Sequence, residues 1–135
     1  RMGASNTHRG SLASFVADGQ DARIVDMTAN LDSGNVLFCL TNGATFLTTQ
    51  KNAISIAPGA SNAIFRVVGE GSLMAMTAAS PQRGFMLGDN SNSPMPSVMP
   101  GGTIEVLDGG VVSNVYGIVG RQTGYHSVLI DNSKW

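Results

Sequence analysis

The chain has 135 residues and a mass of 14.0 kDa, enough for one domain around one core. Only 13% of the residues are charged and the formal net charge is −1, which argues against nucleic acid as the main ligand, because phosphate neutralisation needs clustered Lys and Arg. No apolar run approaches the length that crosses a bilayer, and a hydrophobic content of 42% is too high for a disordered chain.

An ordinary soluble domain carries about 25% charged residues. Here lysine occurs only at Lys51 and Lys134. So sparsely charged a surface is expected to be shared with other chains.

Residues 1–21, "RMGASNTHRGSLASFVADGQD", are mostly small and polar and read as an N-terminal arm. Its one apolar cluster is Leu12, Phe15 and Val16. That cluster suits either a helical turn capped by Ser11 and stopped at Gly19, or an extended segment that lays Phe15 onto a neighbour. From residue 22 the signals are strands and tight turns. "ARIVDMT" and "NLDSG" lead into "NVLFCLTNGATFLTT", where Asn42-Gly43 between two apolar runs is a strong hairpin signature. A hairpin there sets Leu40 opposite Thr45, Cys39 opposite Phe46 and Phe38 opposite Leu47. Val36, Phe38, Leu40 and Leu47 then share one face; Leu37, Cys39 and Phe46 share the other. Both faces are apolar, so both should be covered.

"AISIA" is a short strand candidate. "AIFRVV" and "SLMAMTA" flank Gly69-Glu70-Gly71, and "TIEVL" and "VVSNVYGIV" flank Asp108-Gly109-Gly110; each pair reads as a further hairpin. "YHSVLI" is the last candidate. Strands recurring at this spacing predict an all-β fold: a single antiparallel β-sandwich or barrel, jelly-roll-like, over residues 22–135 behind the N-terminal arm.

The longest loop of that architecture is "SNSPMPSVMPGG", residues 91–102, which holds no charge. Pro94 and Pro96 stiffen it, which lowers the entropy cost of docking. Met95, Val98 and Met99 supply adaptable apolar surface. This loop is expected to lie against another subunit. Trp135, the only tryptophan, ends the chain; an indole is costly to leave exposed, so it is a second expected subunit contact, with Phe15 a third.

Convergent polar chemistry is thin. Cys39 sits alone inside "VLFCL", a setting for a buried thiol. His126 lies in a strand pattern with Val128 and Ile130, and His8 is far away in the arm. No His-x-His, Cys-x-x-Cys or His-Glu-x-x-His spacing occurs, so no zinc site is expected. "DNSNS" from Asp89 lacks the acidic positions of a calcium loop. "VGEGSL" and "GIVGRQTG" fall short of phosphate-binding loops. No cofactor is expected.

"GDNSNSP", residues 88–94, resembles the nucleophile segment Gly-Asp-Ser-Gly-Ser-Pro of chymotrypsin-like serine proteases. The resemblance covers about seven residues and implies Ser91 as nucleophile on a double antiparallel barrel. It departs at Asn92, which stands where that family has glycine, and in offering only His8 upstream as a base.

The leading expectation is therefore a non-enzymatic structural assembly module. Its composition is similar to that of viral capsid decoration or cement proteins and tail-fibre domains, which would place it in a virion. It would act as a homo-oligomer, a trimer by analogy, on a larger protein lattice, with no nucleic acid and no membrane as partner. The alternative is a glycan- or receptor-binding β-module using Asn114 with Tyr116, or Tyr125. A serine-protease fragment ranks third.

Overall fold

A computed structural model describes residues 6–7, 12–26, 29–31, 35–49, 54–56, 62–77, 85–87, 100–114, 117–119 and 125–135. Their regular structure is strand. β1 (Asn6–Thr7), β2 (Leu12–Asp18), β3 (Arg23–Val25) and β4 (Ala29–Leu31) come first. β5 (Asn35–Thr41), β6 (Thr45–Thr48) and β7 (Ile54–Ile56) follow, then β8 (Ile64–Val68), β9 (Leu73–Met76) and β10 (Phe85–Leu87). β11 (Pro100–Leu107), β12 (Val111–Asn114), β13 (Gly117–Val119) and β14 (Tyr125–Asp131) complete the set.

Every third strand enters the same sheet. The first sheet runs β1-β4-β7-β10-β13, the second β2-β5-β8-β11-β14 and the third β3-β6-β9-β12. All of their pairings are parallel. The chain therefore coils through three sheets and stacks rung on rung, as a three-sided parallel β-solenoid. This corrects the expected antiparallel jelly-roll-like sandwich or barrel. Strands do fall on the runs flanking the expected turns, but among the described residues consecutive strands never pair.

The reason lies at the corners. Asn42 and Gly43 adopt φ of 55° and 87°, the left-handed geometry that a hairpin turn also needs, and Ala44 N–H donates to Thr41 O at 3.2 Å. The turn is tight, as expected, yet its two flanks diverge into different sheets. Leu40 pairs with Ala17 and Val67 rather than Thr45, and Thr45 pairs with Arg23 and Leu73. Across this corner the inward alternation continues in phase, where a two-residue hairpin would shift it by one residue, so Leu40, Ala44 and Phe46 are all fully buried. Phe46 thus joins Phe38 inside, with ring centroids 5.8 Å apart, instead of facing away from it. The turns at residues 69–71 and 108–110 are corners of the same kind, linking β8 to β9 and β11 to β12.

Stacking in register lines up equivalent side chains along the coil. Phe15, Phe38, Phe65, Ile104 and Val128 form one inward lane. Phe38 is stacked on both sides, at 4.8 Å from Phe15 and 5.1 Å from Phe65. Ala17, Leu40, Val67, Val106 and Ile130 form the next lane, and Ile24, Phe46, Met74 and Val112 fill the interior from the third sheet. Buried Ser72 is satisfied at the corner: its Oγ donates to Val68 O at 2.8 Å and accepts from Gly43 N–H at 3.0 Å, which ties two rungs together.

Residues 12–18, expected within the N-terminal arm, are β2, the edge strand of the second sheet. Phe15 is half-buried and its ring packs on Phe38 inside the coil. Residues 100–102, expected in the long loop, belong to β11.

Candidate functional site

The most distinctive surface is the end of the coil formed by β14. It is the edge strand of the second sheet, so among the described residues one side of its backbone ladder has no strand against it. Ile130 occupies an inward lane but is 47% exposed, because no rung of the described residues lies over it; its lane-mates Leu40, Val67 and Val106 are fully buried. Leu129, on the outward side, is 50% exposed. Beyond the corner at Asn132 the chain turns back onto the third sheet. Lys134 makes a parallel bridge to Val111, donating to Gly110 O at 3.2 Å and accepting from Val112 N–H at 3.0 Å. An open cavity of about 410 Å³ lies here, lined by Gly109, Val111, Ile130, Asn132, Ser133 and Lys134.

Trp135 ends this surface at 40% exposure, and its Nε1–H donates to Asn114 Oδ1 at 2.5 Å. Two expected site residues are thus brought together, one expected as a subunit contact and the other as a sugar contact. Tyr125 opens β14. Pro94, Met95, Pro96, Val98, Met99 and Tyr116 lie outside the described residues, as do Ser91 and His8. Leu129, Ile130 and Val16 were not among the contact residues expected from sequence. Leu129 and Val16 face outward at the two ends of one lane, whereas alternation alone marks Ile130 as a core residue and only its end position exposes it.

Three further groups carry chemistry. On the outward face of the second sheet, Arg66 Nε pairs with Glu105 Oε2 at 2.5 Å across adjacent strands, a partly exposed pair of modest energetic weight. Cys39 occupies the same lane and is buried. Burial pushes its thiol pKa up, which suppresses the thiolate. Native Cys39 is therefore expected to react with a thiol-specific chromogenic reagent more than about tenfold more slowly than in urea. Equal rates in the two conditions would contradict its burial.

His126 is the third group. Its Nδ1 accepts from Gly102 N–H at 3.2 Å, which requires that nitrogen to be unprotonated. Its Nε2 is buried with no hydrogen-bond partner among the described residues. Burial lowers the imidazole pKa from its ordinary 6.5. The unfolded chain then binds a proton at a higher pH than the folded chain does. Stability from this group is complete above about pH 6.5 and is lost as pH falls towards the folded value. Urea midpoints measured from pH 7.5 to 5 should decline through this window, and His126→Asn should flatten that decline.

Among the described residues, no group of three or more His, Cys, Asp or Glu is placed to hold a metal ion, and no helix is long and apolar enough to cross a membrane. No protein-family model, curated protein or solved structure matches this chain.

Proposed function

We propose that this chain is a non-enzymatic structural assembly module that works through subunit–subunit contacts on a larger lattice, as a virion-type component would. The observation that carries this reading is the end of the coil, where Leu129, Ile130 and Trp135 stand 40–50% exposed on a chain only 13% charged. Exposed apolar surface of this kind marks interaction sites rather than free surface. Of the two viral roles suggested by composition, the fibre-like one suits this architecture better. Stacked rungs make a quasi-one-dimensional body that transmits contacts along its axis, whereas the expected jelly roll is not the fold.

The test is the mass in solution by light scattering, on the intact chain and on one lacking residues 91–99. The deletion stops before Pro100 because β11 begins there. The reading predicts an oligomer from the intact chain, weakened by the deletion if Pro94, Met95, Pro96, Val98 and Met99 are interface. A monomer at every concentration would remove its support.

A second reading, glycan or receptor binding, is favoured by one contact. Asn114 holds the Trp135 indole, one residue along the chain from Lys134 of the open cavity, and a partly exposed indole beside an amide group is a platform on which a sugar ring can stack. Binding on a glycan array that disappears in Trp135→Ala would move the assignment to this class.

A further inference from the structure

We infer that the occupant of the open β14 edge is the β2 edge of a second copy of this chain, joined head to tail so that the coil continues across the junction. This rests on the assembly reading and gives it a surface. The two strands are each seven residues long and are the opposite edges of the same sheet. Continuing the parallel register lays Val128 over Phe15, Leu129 over Val16 and Ile130 over Ala17 of the second copy. Each inward lane then runs on without a change of character.

Leu129 and Val16 are the matched outward pair, exposed by 50% and 54% at opposite ends of one lane. Both lose part of that exposure in the junction, as the mid-lane Arg66 and Glu105 side chains keep 35% and 17%. The first sheet behaves in the same way, because β13 and β1 are its two edges and meet in the same translation. In the third sheet Lys134 already begins a further strand on β12, and the cavity beside it lies where the incoming corner of residues 18–22 arrives. A two-fold arrangement fits less well. It would reverse β14 against β14 and set the first sheet over the third, so the three sides of the coil could not all continue. A translational contact is heterologous and leaves a fresh edge at each end, so it builds a fibre.

One lane opposes the junction. Asp131 lands over Asp18, and like charges facing each other across strands are unfavourable. Asp18 is drawn back towards its own chain by Asn42, whose Nδ2–H donates to Asp18 Oδ1 at 2.7 Å. Asp131→Asn should therefore strengthen association by about fivefold in low salt, with a smaller gain as salt rises.

The experiment mixes two single-cysteine chains, Val16→Cys and Leu129→Cys, each in a Cys39→Ala background, under mild oxidation. Both positions are exposed, and matched thermal melts of the reduced chains check that the variants fold. Adjacent strands lie about 4.8 Å apart, within reach of a disulfide. The expected result is a mixed disulfide between positions 16 and 129 in several-fold excess over either homodimer. A dominant disulfide between two copies of position 129 would overturn the head-to-tail junction in favour of a two-fold one. An oligomer by light scattering with no mixed disulfide would overturn the junction and leave the assembly reading standing. A monomer with no mixed disulfide would overturn both.

Discussion

Replacing Phe38 with alanine is expected to cost about 3–5 kcal/mol of folding stability, the range for truncating a buried aromatic side chain. The ring has Phe15 stacked on one face and Phe65 on the other, and Phe46 meets it edge-on. Its loss removes all three ring contacts and leaves a void between rungs that the parallel backbone ladders hold apart. A domain of this kind is stable by only about 5–15 kcal/mol in total, so the variant should be close to unfolding at 37 °C. Urea denaturation of Phe38→Ala beside Ser113→Ala makes the comparison: the exposed Ser113 should change stability by no more than about 0.5 kcal/mol. A Phe38→Ala cost as small as that would mean the ring is not stacked between neighbouring rungs.

Gly110→Ala is the second large expected effect, and its cause is different. A Cβ at position 110 would sit 2.5 Å from Val67 O, 3.0 Å from Val67 C and 3.2 Å from Leu107 O. All three are backbone atoms, and β8 carrying Val67 is held on both sides by ladders. Relief requires the corner of one rung to lift off the rung below, so a loss of about 3 kcal/mol or more is expected, at or beyond the usual range for overpacking. Gly19→Ala is the informative control. Its Cβ would meet nothing within 4 Å, although its φ is +93°, so only backbone strain of about 1 kcal/mol opposes it. Thermal melts should rank Gly110→Ala well below Gly19→Ala. The opposite order would mean that the corners do not stack.

These two effects show which features were legible in the sequence. Asn42-Gly43, Gly69-Glu70-Gly71 and Asp108-Gly109-Gly110 were correctly placed as tight turns, and the runs around them as strands. A hairpin and a solenoid corner use the same left-handed residues, so turn chemistry does not say whether the flanking strands pair with each other or with the next rung. The better clue was "NVLFCL", apolar on both faces, which is the pattern of strands in parallel sheets. Repetition gave no help. The spans from Phe15 to Phe38, Phe38 to Phe65, Phe65 to Ile104 and Ile104 to Val128 all differ, so no fixed period betrays the coil.

The candidate site was less legible. Trp135 and Asn114 were each singled out, for separate roles, and nothing local links residues so far apart in the chain. Ile130 reads as core by alternation, and only its place in the terminal strand exposes it. Hairpin logic also sent Phe46 to the wrong side of its sheet, because a two-residue hairpin shifts the inward phase by one residue and this corner does not. Which of the two occurs is set by tertiary stacking.

The open edges, the lanes and the head-to-tail junction all depend on the parallel pairing of β5 and β6 with neighbouring rungs. The most direct test is a proton NOE spectrum of the labelled chain, read at Leu40. The parallel coil predicts backbone contacts from Leu40 to Ala17 and Val67, and no strong Hα–Hα contact with Thr45. An antiparallel hairpin around Asn42-Gly43 makes Leu40 and Thr45 a close, non-hydrogen-bonded pair. A strong Leu40–Thr45 Hα–Hα cross-peak would contradict the coil.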